Sequence, residues 1–502
     1  MKSVIRNLND GGSSSEEKSL LETTLGMQEY AKRFNLLLNL EEYACMKKSL
    51  NVNEDEAQLD VRKSRLTLRI QHRAVELAST NGLEKVLFPT ATSHTPNHTT
   101  PMELSLFDKT LNEEQSKAVH HIVAGSSKPA PYLVFGPPGT GKTVTLVEAI
   151  KQVEKTQASS HILACAHTNS GADLLCAMIR DPNVYRLYAK SQEGNKNPEH
   201  PLKCNWGEDG IYFPNKEELK KHKIMVTTLF TASRLVTGGI PPGFYTHIFV
   251  DEAGQPPEPE GVIPLAGLLD PERGQVVLAG DPNQSCPFIS SNLAKKHGLG
   301  VSLLKRLMEL NVYKKDEKKG YNDRFITKLP RSYSLHLVGK VLPFRLIFHE
   351  VTGRMQREDS TSFFNGYEVA ILMRYLTELL DNVPPGDIGL IAPYRKQVEK
   401  INTAVKITFR RCMAELKVGT VEEFQGVRKR VILLSTVRSS SRGHSSFLAD
   451  PKRFDMAMTR AQSLVIVAGN SQALTNNDMW HKFIEYCKEN GGYTKTFQRL
   501  DI

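Results

Sequence analysis

The chain has 502 residues, room for two or three domains, and its 40% apolar content is enough to build real cores. Lysine plus arginine exceed aspartate plus glutamate by 65 − 55 = 10, which points to an anionic partner, nucleic acid before membrane. Seven scattered cysteines without a Cys-x-x-Cys pair or zinc spacing exclude a disulfide framework, and no apolar run approaches the roughly 20 residues that span a bilayer. With no signal-peptide core at its start, the sequence reads as an intracellular protein with reduced thiols and no membrane association.

Residues 1–19, rich in Ser, Gly, Asn and charge, predict a disordered tail. Residues 20–101 predict a helical, stalk-like region and linker. Apolar residues recur at helical spacing from Leu20 to Met46, a second helix is expected over Leu68 to Asn81, and Thr90 to Pro101 closes the region as a linker. A third helix opens at Leu111-Asn-Glu-Glu-Gln115, with Asn112 as its cap. Then Tyr132 to Phe135 reads as a buried strand, followed by Gly136-Pro137-Pro138-Gly139-Thr140-Gly141-Lys142-Thr143 and a helix from Val144 to Val153.

Strand, glycine loop and helix in that order form the phosphate loop of a nucleoside triphosphate site. Gly139 and Gly141 let backbone N–H groups face phosphate oxygens at a helix N-terminus, Lys142 reaches the β- and γ-phosphates, and Thr143 offers a hydroxyl to Mg²⁺. Further strands are expected over His161–Ala166, Lys223–Thr227, Thr246–Val250 and Gln275–Ala279, each ending in polar residues. The alternation predicts a parallel sheet with its ligand at the strand C-termini. Asp251 and Glu252 end one of these strands: Asp251 can hold Mg²⁺ through water, and Glu252 can deprotonate the attacking water. Gln284, in Gly280-Asp-Pro-Asn-Gln284, is placed to sense the γ-phosphate.

A charged segment, Tyr313 to Asp323, reads as a solvated loop between the domains. It sets a first α/β domain over 102–312 and a second over 313–502, the latter with strands at Gly389–Ala392, Glu415–Val418, Val431–Ser435 and Leu464–Gly469. Phosphoryl transfer needs positive charge opposite the loop, and Arg460 is the candidate arginine finger, with an exposed helical arginine as the alternative.

Together the blocks at Gln115, Gly136–Thr143, Asp251–Gln255, Gly280–Gln284, Ala392–Gln397, Gly419–Gly426 and Met458–Ala461 resemble the up-frameshift class of superfamily 1 helicases. The wording is most similar to the branch of the Moloney leukaemia virus 10 and Armitage helicases. The resemblance implies two RecA-like parallel-sheet domains in tandem with a short helical N-terminal region. It implies ATP and Mg²⁺ as cofactors and 5′-to-3′ translocation on single-stranded RNA. It further implies partners among ribonucleoprotein and silencing-complex proteins, and a cytoplasmic location in granules such as P-bodies. By position, Gln115 should read adenine, Tyr333 stack on it, and Arg395 and Gln397 lie near the phosphates. Thr168, Asn169, Thr227, Thr228, Thr420 and Gln425 should touch RNA, although threonines at strand ends are also ordinary helix caps.

Four departures stand out. The family's Asn-Tyr-Arg-Ser reads Ser332-Tyr333-Ser334-Leu335, removing an arginine at 334; Ser285-Cys286-Pro287 replaces Leu-Gly-Pro. The stretches between His336 and Phe348 and between Asn53 and Ser64 are short, the second where the family inserts a β-barrel. Two further readings follow: an ATP- and RNA-binding assembly factor that turns over weakly, and a DNA helicase.

Overall fold

The computed structural model describes residues 15–49, 54–90, 104–137, 140–192, 203–207, 209–283, 289–317, 320–330, 346–353, 355–357, 363–409, 415–424, 427, 429–438, 451–458 and 460–496. The chain forms two compact units, Met1–Pro330 and Arg331–Ile502.

Eight strands build the sheet of the first unit: β1 (Tyr132–Phe135), β2 (Ile162–Ala166), β3 (Val184–Arg186), β4 (Lys203–Cys204), β5 (Ile224–Thr228), β6 (His247–Asp251), β7 (Gln275–Gly280) and β8 (Ile326–Lys328). Their order is β8-β1-β7-β6-β2-β5-β3-β4, and every pairing is parallel. β1, β2, β5, β6 and β7 are buried along their whole length, as a sheet covered on both faces requires, so their apolar runs are continuous. The two-residue period still sorts them. Leu133, Leu163, Met225, Ile248 and Leu278 join one core, while Val134, Ala164, Val226, Phe249 and Ala279 join the other.

Helices α1 (Met27–Ser49) and α2 (Glu54–Thr80) contribute Tyr30, Phe34, Leu37, Leu38, Val75 and Ala78 to the first of these cores. They are anchored rather than projecting like a stalk. Tyr30 donates to Glu258 at 2.9 Å, Glu41 accepts from the backbone N–H groups of Ser290 and Ser291 at 2.8 Å each, and Asn81 donates to the Ala266 carbonyl at 2.6 Å. The second helix begins fourteen residues before Leu68 and runs through 54–64, where the family has its β-barrel. A short helix over Ser15–Glu22 starts inside the segment expected to be disordered. Residues 1–14 and 91–103 lie outside the described residues.

The opposite core is closed by α3 (Glu113–Ala124), α4 (Lys142–Thr156) and α5 (Asn169–Ile179), through Val119, Ile122, Leu146, Ile150, Leu175 and Ile179. α6 (Leu229–Thr237) follows β5, and α7 (Glu258–Gly261) follows β6 after a tight turn.

The domain boundary expected at 312/313 lies instead at 330/331. β8 pairs with β1, Leu133 opposite Ile326, and Tyr313 is fully buried with its hydroxyl on the Pro131 carbonyl at 2.6 Å. Charge in the segment hid this. A three-residue strand and one buried tyrosine leave no periodic signal among lysines and aspartates.

The second unit has six parallel strands, β9 (Leu346–Glu350), β10 (Ile388–Ala392), β11 (Lys417–Thr420), β12 (Lys429–Ser435), β13 (Ala461–Gly469) and β14 (Tyr493–Thr494), ordered β11-β10-β12-β13-β9-β14. Four of them coincide with the expected runs; β9 and β14 are additional. Helices α8 (Gly366–Leu380) and α9 (Arg395–Thr408) bury Leu372, Tyr375, Leu376, Ile401 and Val405 in one core, while Trp480, Phe483 and Ile484 close the other. The fold is therefore two RecA-like parallel-sheet domains with a helical N-terminal region.

Candidate active site

Parallel strands all point one way, so the residues that follow them gather at one edge of the sheet. At the first unit's edge lie Gly136 after β1, His167 after β2, Thr228 ending β5, Asp251 ending β6 and Gly280 ending β7.

Three helices starting at this end of the chain's fold are closed by side chains. Asn112 accepts from the N–H of Gln115, Thr168 from that of Gly171, and Thr228 from that of Thr231. α4 is different: its cap is Gly141, with φ +81° and no side-chain bond. A left-handed conformation favours glycine, and with no side chain capping them the first-turn N–H groups of a fifteen-residue helix suit an anion. Gly136 is equally constrained, because a Cβ there would stand 2.4 Å from the Leu329 carbonyl oxygen and 2.9 Å from Thr140 Oγ1.

Lys142 Nζ donates to the carbonyls of Gly136 at 2.7 Å and Pro137 at 2.8 Å, so the ammonium lies across the loop. Thr140 closes the same loop by donating to Pro137 at 2.9 Å. Pro138 and Gly139 lie outside the described residues. Thr143 Oγ1 donates to Asp251 Oδ2 at 2.7 Å, and Asp251 Oδ1 accepts from the Glu252 N–H at 2.9 Å. Burial, then the neighbouring Glu252 charge, raises Asp251 to about 6, against the opposing Thr143 bond and Lys142 charge.

A hydroxyl and a carboxylate in contact are hard oxygen donors that fit Mg²⁺, which keeps most of its shell as water and phosphate oxygen. Among the described residues no cluster of three or more His, Cys, Asp or Glu is placed to hold a metal.

Glu252 sits at φ +56°, and its Oε2 is buried without a hydrogen-bond partner. The turn that carries it is locked against the end of β7: Ala253 N–H donates to the Ala279 carbonyl at 2.8 Å, and a Cβ on Gly254 would lie 1.9 Å from the Asp281 carbonyl oxygen. His167 Nδ1 lies 2.9 Å from Glu260 Oε1. Burial lowers the proton affinity of that ring, but the Glu260 hydrogen bond and charge, followed by the Glu252 charge, raise it overall.

Other expected residues have different surroundings. Gln115 is 3% exposed; it accepts from Asn112 N–H at 3.0 Å and donates to the Thr140 carbonyl at 3.4 Å, so it joins the cap of α3 to the phosphate loop. Thr227 is fully buried, its hydroxyl on the Leu187 carbonyl at 2.8 Å, which is a packing position. Thr168 and Thr228 cap helices, and Asn169 Oδ1 accepts from Arg186 at 3.1 Å. Gln284 lies outside the described residues.

Comparison with known proteins agrees with this geometry. Two AAA domain families match, one over residues 110–204 and 195–292 and the other over 302–472, and the helical domain of helicase MOV-10 matches 2–48. The putative helicase mov-10-B.2 of Danio rerio is 46% identical over 89% of the chain and 50% of its own length. The putative helicase MOV-10 of Gallus gallus is 43% identical over 88% and 53% respectively. The probable RNA helicase armi of Drosophila melanogaster is 29% identical over 88% of the chain and 44% of its own length. The chain belongs to the up-frameshift class of superfamily 1 helicases, in its MOV-10 and Armitage branch. It spans about half the length of the curated relatives it matches.

In the second unit, Arg460 lies between the helix Pro451–Met458 and β13 rather than on an exposed helix face. It is 2% exposed, with Nε on the Met456 carbonyl at 3.0 Å. Arg395 opens α9, and Thr420 ends β11, its N–H donating to Glu423 at 2.7 Å. Tyr333, Ser334 and Gln425 lie outside the described residues. Gln397 is fully buried, accepting from Asn365 N–H and donating to Ser435 Oγ, both at 2.8 Å.

Sequence reading missed the hub of that network. Glu368, fully buried, accepts from Ser435 Oγ at 2.5 Å, Val437 N–H at 2.7 Å and Asn365 Nδ2 at 3.2 Å. Burial raises it to about 7, against the bonds from Ser435 and Val437. Val437 adopts φ +65°, a costly conformation for a β-branched residue, which this carboxylate helps to hold.

Proposed function

We propose that this chain is an ATP-driven RNA helicase that translocates 5′ to 3′ on single-stranded RNA, in RNA turnover or small-RNA silencing. The observation that carries the reading is the uncapped α4 N-terminus with Lys142, beside the Thr143–Asp251 pair and the Glu252 carboxylate. The open N–H groups and Lys142 bind the phosphates of ATP. Glu252 takes the proton of the attacking water; its unpartnered buried oxygen is the free acceptor that step needs. Thr143 and Asp251 would hold Mg²⁺, which when bound neutralises charge on the β- and γ-phosphates. Arg460 of the second unit, buried with its Nε on the Met456 carbonyl, is the candidate arginine for phosphoryl transfer.

Support for RNA comes from the net charge of +10, from the names of Armitage-type relatives, and from Thr168, Asn169 and Thr228 at the strand-end edge, where Thr420 and Gln425 stand in sequence in the second unit. Cytoplasmic ribonucleoprotein granules, with silencing-complex proteins as partners, are the matching setting. The deciding experiment measures ATP turnover with and without single-stranded RNA, then unwinding of duplexes carrying a 5′ or a 3′ tail. Turnover stimulated by RNA and unwinding only from the 5′ tail is expected. Stimulation by DNA alone, or unwinding from the 3′ tail, overturns the reading.

A second reading is favoured by Ser334, which stands where the family carries a phosphate-sensing arginine. In it the chain binds ATP and RNA but turns over slowly, as an assembly factor of ribonucleoprotein particles. Tight ATP binding with weak turnover in the same assay distinguishes it.

A further inference from the structure

The short helix α7 carries two buried glutamates that face different partners. Glu258 accepts from Arg306 at 2.6 and 2.7 Å and from Tyr30 of the N-terminal helices at 2.9 Å. Glu260 meets His167, the first residue after β2, at 2.9 Å. Both members of this second pair are nearly enclosed, with side chains 11% and 5% exposed.

His167 is bonded in sequence to Thr168, which caps α5, and to the Asn169 turn that Arg186 holds. Glu260 stands eight residues beyond Glu252. The Glu252 Oε2 atom faces the same turn: it would lie 3.9 Å from a Cβ on Gly171, whose N–H is the one that Thr168 caps. The His167–Glu260 contact therefore ties the strand-end turn expected to meet RNA to the segment that carries the buried Glu252 oxygen. That segment is rigid on its other side, because Arg306 and Tyr30 hold Glu258.

We propose that His167 and Glu260 are positioning residues that transmit occupation of the Thr168–Asn169 turn by single-stranded RNA to the Glu252 carboxylate, a role that rests on the functional reading above. Neither touches ATP or the reacting atoms. With RNA bound, the contact sets where Glu252 stands, and a displacement of about 1 Å in such a group changes rate by up to about 100-fold.

The test uses the full chain and a uridine oligonucleotide, comparing wild type with His167→Phe, His167→Asn and Glu260→Gln. Basal turnover, ATP KM, RNA-stimulated kcat, RNA affinity and melting temperature are measured for each. His167→Phe keeps ring volume and loses the hydrogen bond. It is expected to lower RNA-stimulated kcat by about tenfold, while RNA affinity and basal turnover stay within about twofold. His167→Asn, which can still donate to Glu260, is expected to recover most of the stimulation. Glu260→Gln keeps the shape of α7 and should match His167→Phe in direction. Full stimulation in His167→Phe and Glu260→Gln overturns the coupling. So does an equal loss of basal and stimulated turnover, or a loss of RNA affinity that accounts for the effect. A wild-type chain that hydrolyses ATP without any response to RNA overturns the functional reading itself, and the coupling with it.

Discussion

Thr143 Oγ1 donates a 2.7 Å hydrogen bond to Asp251 Oδ2, joining the residue after the phosphate-loop lysine to the end of a strand two places away in the sheet. Two oxygens separated by 108 residues are thereby brought together. Asp251, held near 6 by burial and then by the Glu252 charge, gains most from a cation that stabilises its ionised form.

Lys142→Ala removes the ammonium that lies on the Gly136 and Pro137 carbonyls. Steady-state ATP turnover is expected to fall by at least about 100-fold, the scale for deleting one positioned donor to a developing charge. Turnover near wild type would show that another group neutralises the phosphates.

For Glu252→Gln the expected pattern differs. ATP affinity, read with a fluorescent analogue, should stay close to wild type while turnover drops about 10²- to 10⁴-fold, because the base is lost and the shape is kept. Loss of binding would refute the assignment of Glu252 as base.

Gly254→Ala probes the lock behind the catalytic turn. A Cβ there lies 1.9 Å from the backbone oxygen of Asp281, so the two turns must separate. The cost should be about 2 to 4 kcal/mol, seen as a clearly lower Tm by calorimetry. An unchanged Tm would mean that this crossing is not close-packed in solution.

Glu368 gives a pH dependence with a definite sign. Its folded value, about 7, lies above the ordinary glutamate value of 4.5, so the folded chain binds the proton more tightly than the unfolded one. The stabilisation from that proton is complete below the unfolded value and is lost as pH rises toward 7, by about 3 kcal/mol in all. Glu368→Gln should therefore flatten the fall in Tm between mildly acidic and neutral pH. Parallel Tm curves for the two proteins would contradict it.

RNA affinity should weaken at least about tenfold between about 50 and about 200 mM salt, since backbone contacts release counterions and the chain carries +10 charge. Fluorescence anisotropy at several salt concentrations checks this; a flat response would exclude phosphate contacts as the main source of affinity.

Local chemistry was legible in the sequence wherever one short segment carries it whole. Gly136 to Thr143 between an apolar strand and a helix, and Asp251-Glu252 closing a five-residue strand, specify phosphate and cation chemistry, because backbone turn and side chains are neighbours in the chain. The parallel α/β class followed from the alternation of buried runs and amphipathic helices. Contacts between distant segments were decided only by the tertiary structure. Nothing in the sequence around His167 points to Glu260, 93 residues on, or around Glu368 to Ser435 and Val437. β8 and Tyr313 moved a domain boundary that charge alone had drawn too early. Thr227 shows the same limit: packing gives its hydroxyl to the Leu187 carbonyl, where the sequence shows only a threonine at a strand end. A polar residue type states what a side chain can bond to, and burial then selects the partner, because an unmade hydrogen bond in the interior costs about 1 to 3 kcal/mol.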